Sequence, residues 1–430
     1  MTTIRIHNAR LLDPATSLDT AGGILIEDGL IADVGKDVGN GKADEVINAE
    51  GKCLAPGLID LRVKTGEPGA ENKETLETAS EAAAAGGVTS MVVMPDTDPV
   101  IDTVALVDFL NRRARDTAKV KVYPAAGLTL GLEGQRMSEL GLILEAGAVM
   151  FSNGDQAIAD AGVLRRAMQY ATNFDALIAC RPDTHALSRS TVMNAGAFAA
   201  RLGLKGAPRE AEWMAIERDL ILAETTGARI LIDTLSTARS LAAVTRAKKA
   251  GVRAACTVAA YSLYFDEKDV GNYLTYCKVF PPFRSDEDRL ALIEGVERGE
   301  IDAIVSHHDP QPPENKRLPI EDATYGAAGV ETLLSALTSL VADEKLSMMA
   351  ALRPVTSGPA DLLGLPQGRL ARGAPADLVQ FDPTYAWHCD RDFLHSRSKN
   401  SPFDGRNLEG RVLRTWVDGV TVFERAKETA

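Results

Sequence analysis

An α/β fold is predicted: a (β/α)8 barrel carrying a small composite β-sheet domain built from both termini. Three observations predict it. Eight short segments rich in Val, Ile, Leu and Ala recur through the middle of the chain, separated by stretches of helical character. Both ends read instead as short strands and turns. No Gly-x-Gly-x-x-Gly follows the first apolar segment, which removes the main cue for an open, nucleotide-binding sheet.

The N-terminal part, 1–55, opens with Met1-Thr2-Thr3-Ile4-Arg5-Ile6-His7. This alternates like a half-buried strand and lacks the continuous apolar core of a signal peptide. Ile24-Leu25-Ile26-Glu27-Asp28-Gly29-Leu30-Ile31 then sets Asp-Gly between two apolar runs, a strong hairpin signal. Residues 56–359 are assigned to the barrel. Its strands are expected at 57–63, 88–94, 120–125, 148–152, 176–180, 229–234, 252–258 and 301–306. They are apolar throughout because parallel strands are covered on both faces. Helices are expected at 73–85, 103–117, 158–172, 208–226, 238–249 and 286–298. The longer stretches 181–207 and 259–285 would be loops where the strands end, the face on which TIM-type barrels build their sites. Residues 360–430 return to strands, through Ala376-Asp377-Leu378-Val379-Gln380-Phe381 and a last hairpin around Asp418-Gly419.

The 430 residues suffice for one barrel with a modest remainder. A 45% apolar and 25% charged composition is ordinary for a globular protein. The net charge of −13 argues against nucleic acid or anionic membrane as a partner, since both require basic surface. No apolar run reaches the roughly 18 residues of a membrane span, and a cytoplasmic location is expected. The five cysteines, Cys53, Cys180, Cys256, Cys277 and Cys389, are odd in number and scattered, with no Cys-x-x-Cys. Reduced thiols are expected rather than disulfides or a structural zinc site.

The segment Pro56-Gly57-Leu58-Ile59-Asp60-Leu61-Arg62-Val63-Lys64-Thr65-Gly66-Glu67-Pro68-Gly69 resembles the first barrel strand of the amidohydrolase superfamily. Its Glu-Pro-Gly ending narrows the resemblance to dihydroorotase. Lys73-Glu74, Gly86-Gly87-Val88-Thr89-Ser90, Met94-Pro95-Asp96-Thr97, Pro281-Pro282-Phe283-Arg284 and Asn400-Ser401-Pro402-Phe403 continue it over nearly the whole chain. The resemblance implies a barrel that holds one or two zinc ions, whose bound hydroxide opens or closes a cyclic amide. Its first-strand ligands would be a His-x-His pair facing inward.

At every position where the resemblance implies a ligand, this sequence carries something else. The His-x-His pair is Arg62 and Lys64, near-obligate cations with no lone pair for a metal. The metal-bound Asp after the fourth strand falls on Asn153, the fifth-strand His on Cys180, the sixth-strand His on Thr234, and the proton-shuttling Asp of the eighth strand on His307. The substrate side differs as well. The Arg that grips a substrate carboxylate is Gly66, two Asn positions are Asp96 and Phe280, and the His closing the eighth-strand motif is Gln311. Loss of a bidentate Arg and gain of a carboxylate both disfavour a dicarboxylate ligand. No cofactor is expected, because the family's zinc site is absent.

Other chemistries remain weaker. His307 and His308, with Asp309 beside them and Cys180 across the barrel, could rebuild a metal site only if a bulge turned adjacent residues to one face. Cys180 as a nucleophile would need a base and a depressed pKa; an inert core thiol is the simpler expectation. Lys64 as a base or Schiff-base amine would need desolvation. Arg62 and Lys64 are expected instead to occupy the vacated metal position, paired with Asp155 or Asp309. Asp233, one residue off the inward phase, is expected to point toward the helices. The resemblance thus implies a dihydroorotase-like protein of pyrimidine biosynthesis, catalytically inactive, serving aspartate transcarbamoylase as a structural or regulatory partner and forming a homo-oligomer, most simply a dimer. The alternative is an active dihydroorotase or other cyclic-amide hydrolase with an altered site.

Overall fold

The computed structural model describes residues 3–36, 38 and 43–426. Met1, Thr2 and residues 427–430 of the two terminal segments lie outside the described residues. The N-terminal strands are β1 (Thr3–Asp13), β2 (Leu18–Glu27), β3 (Leu30–Gly35), β4 (Glu45–Asn48) and β5 (Cys53–Pro56). The barrel follows with β6 (Leu58–Val63), β7 (Val88–Val93), β8 (Lys121–Gly127), β9 (Met150–Ser152) and β10 (Leu177–Cys180). A two-stranded excursion, β11 (Met193–Asn194) with β12 (Gly206–Ala207), precedes β13 (Arg229–Ile232), β14 (Ala254–Ala259) and β15 (Ala303–Val305). The C-terminal strands are β16 (Leu378–His388), β17 (Asn407–Val417) and β18 (Val420–Glu424).

The eight barrel strands run parallel in chain order from β6 to β15. Closure comes just beyond β15, where Val63 bridges His308 and Lys64 N donates to the His308 carbonyl at 2.9 Å. The strands are apolar on both faces for two separate reasons. Ile59, Leu61, Val92, Met150, Leu177, Ala179, Leu231 and Val305 fill the barrel interior. Leu58, Val63, Ile178, Ile230, Ile232, Val258 and Ile304 face the helical shell. The shell comprises α1 (Leu76–Ala85), α2 (Val104–Thr117), α3 (Leu140–Glu145), α4 (Ala161–Ala171), α5 (His185–Ser188), α6 (Ala197–Leu202), α7 (Glu210–Thr226), α8 (Ala238–Lys249), α9 (Ala260–Tyr264), α10 (Asp286–Glu297), α11 (Pro313–Lys316) and α12 (Leu333–Ala342). All six helices expected from sequence are present within a few residues at either end, while α3, α11 and α12 were not anticipated. The stretches read as loops contain α5, α6 and α9. Among the described residues no helix is long and apolar enough to cross a membrane.

Both termini share one sheet, ordered β18-β17-β16-β5-β1-β2-β3 with β4 beside β1. The joint is β5, which pairs parallel with β1 and antiparallel with β16. Trp416 is fully buried among Ile6, Ile24, Leu54 and Leu378, so this sheet has a core of its own.

The sheet is fastened to the barrel through α12. Ser335 Oγ donates to the Gly410 carbonyl and Thr338 Oγ1 to that of Glu409, each at 2.6 Å. Gly410 holds φ at +88°, and a Cβ there would stand 2.0 Å from Thr338 Oγ1. Gly410→Ala is therefore expected to destabilise the protein by about 2–4 kcal/mol, from left-handed backbone strain plus overpacking. The check is the urea unfolding midpoint against that of wild type.

Candidate functional site: a charge network at the barrel mouth

The C-terminal ends of the strands converge on two cations. Arg62, at the end of β6, is 1% exposed, and its guanidinium bonds to Asp233 and, at 2.6 Å, to Asp155. Lys64 Nζ meets Asp96 at 2.8 Å, Asp309 at 3.3 Å, and Asp155. Burial opposes the charge of both cations, but the surrounding carboxylates outweigh it and hold both protons more tightly than in water. Burial likewise opposes the charge of Asp155, yet Lys64, Arg62 and Arg181 hold its carboxyl well below the usual range. The network is thus ionic in the folded state, with each carboxylate arriving from a different strand end.

A second layer sits above it. Arg181, buried just after β10, places Nη1 3.2 Å from His307 Nε2, donates Nη2 to the Phe280 carbonyl, and lies 5.0 Å over the Phe280 ring. Burial first, then Arg62 and Arg181, push the His307 imidazole well below its ordinary value. The ring is therefore neutral, accepting from Arg181 at Nε2 and carrying its proton on Nδ1. Tyr261 from α9 packs edge-on against His307 at 5.7 Å. Together with Asp155, Asp309 and Tyr325, these groups line a cavity of about 160 Å³.

Cys180 and Asp233 are placed differently from the sequence reading, and Thr234, Asn153 and Gly66 are committed to local contacts. Cys180 faces outward, not into the mouth: Ala179 fills the barrel interior, so alternation turns Cys180 to the helical shell and Arg181 inward. Burial, then the nearby Asp219, raise the Cys180 thiol well above its ordinary value. Asp233 does not point toward the helices; Leu231 faces in, and Asp233 follows it two residues on. Thr234 holds φ +67°, donating its N–H to Thr257 Oγ1 at 2.7 Å and its hydroxyl to Asp233 Oδ1 at 3.1 Å. Asn153 accepts from Thr129 N and donates to Thr129 Oγ1 and the Leu132 carbonyl, so its amide staples the neighbouring loop. Gly66 holds φ +73°, and a Cβ there would stand 2.5 Å from the Ala70 carbonyl oxygen. No long side chain fits that backbone without strain.

Asp96 is an ion-pair partner of Lys64, a role the sequence did not indicate. Phe280 contributes its carbonyl to Arg181 and its ring to the cavity wall, edge-on to Tyr325 at 5.7 Å. Gln311 donates to Asp309 Oδ1 at 2.9 Å and accepts from Asn315. His307 and His308 diverge. His308 Nδ1 accepts from Gly329 N at 3.2 Å, and its Nε2 stands 3.5 Å from Glu74, which also accepts from Ser396. Arg181 entered the sequence reading only as a positive charge near Cys180, although alternation beyond Ala179 signals its inward position; Tyr261 escaped it, and nothing local signals that residue.

These residues do not fit a zinc ion. The first-strand positions are cations, the carboxylates converge on those cations, and Cys180 faces away. Among the described residues no three His, Cys, Asp or Glu side chains are grouped to hold a metal.

A (β/α)8 barrel with a sheet built from both termini and its polar cluster at the strand ends is an amidohydrolase-type barrel. A family model described as Dihydro-orotase-like matches residues 51–240, and one described as Amidohydrolase family matches 302–423. The chain is 37% identical to a dihydroorotase of Desulforapulum autotrophicum, over 98% of this chain and 99% of that protein. It is 39% identical to a dihydroorotase-like protein of Pseudomonas aeruginosa, over 97% and 98%. Among solved structures it superposes on the L-hydantoinase (dihydropyrimidinase) of Arthrobacter aurescens with a TM-score of 0.90 at 27% identity, covering 100% of this chain and 98% of that one. The chain belongs to the dihydroorotase-like family.

Two outcomes follow from the network. Asp233→Asn leaves Arg62 buried with only half-exposed Asp155 as a charged partner, so a loss of about 3–5 kcal/mol is expected on chemical denaturation. Asp155→Asn should cost far less, because 41% of the Asp155 side chain is exposed and water screens it. Asp60, fully buried on β6, accepts from Arg62 N and Ser306 N at 3.2 Å each, yet burial pushes its carboxyl up to about 6 from an ordinary 3.8. The folded state binds this proton more tightly than the unfolded one, so its contribution is full at low pH and is lost as pH rises through about 6. Wild-type stability relative to Asp60→Asn should accordingly decline between about pH 4 and about pH 6 and then level off; a flat difference would show that Asp60 does not titrate there.

Proposed function

We propose that this protein is a catalytically inactive member of its family, working without zinc, and that it serves pyrimidine biosynthesis as a structural or regulatory partner of aspartate transcarbamoylase. The observation that carries the reading is the pairing of Arg62 and Lys64 with Asp155, Asp233, Asp96 and Asp309. A positive charge bonded to β6 can satisfy those carboxylates, but it cannot lower the pKa of a bound water or generate hydroxide as a metal does. The partner is argued from family resemblance alone, and no residue on the surface identifies it.

An altered-site hydrolase is the second reading, and the cavity beside neutral His307 favours it. The nucleophile is what it lacks. Cys180 faces away, and burial pushes the Tyr261 hydroxyl up rather than down.

Purified protein is expected to contain far less than one equivalent of transition metal and to show no dihydroorotase turnover in either direction, with or without added zinc. One or two tightly held ions together with turnover would falsify the reading. Arg62→His with Lys64→His should stay inactive, because Asn153, Cys180 and Thr234 are committed elsewhere. Light scattering of a mixture with aspartate transcarbamoylase from the same organism should show a complex. Independent elution at micromolar concentration, with unchanged transcarbamoylase activity, would return weight to the hydrolase.

A further inference from the structure

Another cavity, of about 470 Å³, opens in the terminal sheet and shares no residue with the one at the barrel mouth. A break in strand pairing makes it. Asp382 of β16 pairs with Arg411 of β17 and Ala386 with Glu409, so Pro383, Thr384 and Tyr385 stand against Gly410 alone. Pro383 has no N–H for the ladder, and Asp382 Oδ1 accepts from Thr384 N at 3.1 Å and Thr384 Oγ1 at 2.9 Å. Beyond this bulge Tyr385 and Trp387 line the cavity. Trp387 Nε1 donates to the Gly410 carbonyl at 3.1 Å, which fixes the indole.

Arg411 lies over that indole, with its guanidinium carbon 3.5 Å from the ring centre. Such a contact uses the face of the guanidinium and leaves its in-plane N–H groups for other partners. Among the described residues Arg411 forms no hydrogen bond and no ion pair. Burial first, then neighbouring Arg425, push it down to about 10 from an ordinary 12.5. Glu331, the carboxylate that acts on it, is taken up by His395 N at 2.6 Å and His395 Nδ1 at 3.0 Å. Asp390 is the one carboxylate on the described wall, and it caps the turn Arg391–Phe393 by accepting from Asp392 N at 2.9 Å. That turn sets Phe393 on the rim, 81% exposed. A half-buried guanidinium beside a second cation, without a counter-anion of its own, is costly. It stands out in a chain whose net charge is −13.

We propose that this cavity binds an organic phosphate of mononucleotide size, its phosphate on Arg411 and Arg425 and its aromatic ring on Phe393. The volume falls within the range of small-molecule sites. Arginine suits phosphate because its fork donates two parallel N–H groups to one anion. A planar ring stacked on Phe393 takes an exposed aromatic face out of water. The proposal uses no residue of the barrel mouth and is independent of the catalytic reading.

Isothermal titration calorimetry of the full chain with adenosine monophosphate tests it, with inorganic phosphate and adenosine as partial probes. The monophosphate should bind at least about tenfold more tightly than either part, and more weakly as salt rises. Arg411→Gln should weaken it by at least about tenfold, with thermal unfolding unchanged. Phe393→Ser, at an exposed site, should reduce the monophosphate to the affinity of inorganic phosphate and leave phosphate itself unmoved. No binding of the monophosphate through the millimolar range, or binding that either variant leaves unchanged, overturns the proposal. So does binding of a glutamate-rich peptide in place of the monophosphate, since the arginines would then belong to a protein partner.

Discussion

Everything at the mouth depends on the burial of one guanidinium. Arg62 is 1% exposed and cannot shed its proton, so several kcal/mol of lost hydration, roughly, must be offset by carboxylates held close to it. Asp233 and Asp155 supply that, and Lys64 draws Asp155, Asp96 and Asp309 to the same region. These carboxylates follow β7, β9, β13 and β15, whereas both cations belong to β6 and its extension. Two side chains from one strand thereby tie four other strand ends across the barrel.

The same network sets the character of the layer above it. Positive charge beside a buried imidazole keeps His307 neutral, which lets its Nε2 accept from Arg181. Arg181 is then held by a ring nitrogen, a backbone carbonyl and an aromatic face rather than by a carboxylate. A cavity walled in this manner is polar at its floor and aromatic at its side, with its ionic groups largely engaged with one another. The charges at the mouth already have partners in one another.

The barrel was readable because each strand is apolar on both faces and each helix is bounded by turn residues. α12 was harder: ten residues from Leu333 to Ala342 are nearly all buried, so they lack the amphipathic period that marked α2 or α4. The inward placement of Arg62 and Lys64 was legible because the flanking residues of β6 fix its register. At the ends of β10 and β13 the motif gave a different phase from the strands. There alternation continues from Ala179 and Leu231, so Arg181 and Asp233 face inward, whereas ligand positions counted from the motif fell one residue away, on Cys180 and Thr234. Asp96 as a partner of Lys64 was not read either, although a barrel sets the ends of β6 and β7 side by side, because its carboxylate was weighed only against an anionic ligand. Tyr261, on a short helix after β14, offered no periodic signal.

The position of β5 has a consequence for how the chain is made. Residues 53–56 pair on one side with β1, available early, and on the other with β16, more than 300 residues later. During synthesis at about 5–20 residues per second, β5 would present an unpaired edge for tens of seconds while the barrel emerges. Exposed edges template wrong pairing, and contacts this distant in sequence form slowly. The molecule's most vulnerable period therefore lies on the ribosome, and a truncated chain ending before β16 would leave the same edge open permanently.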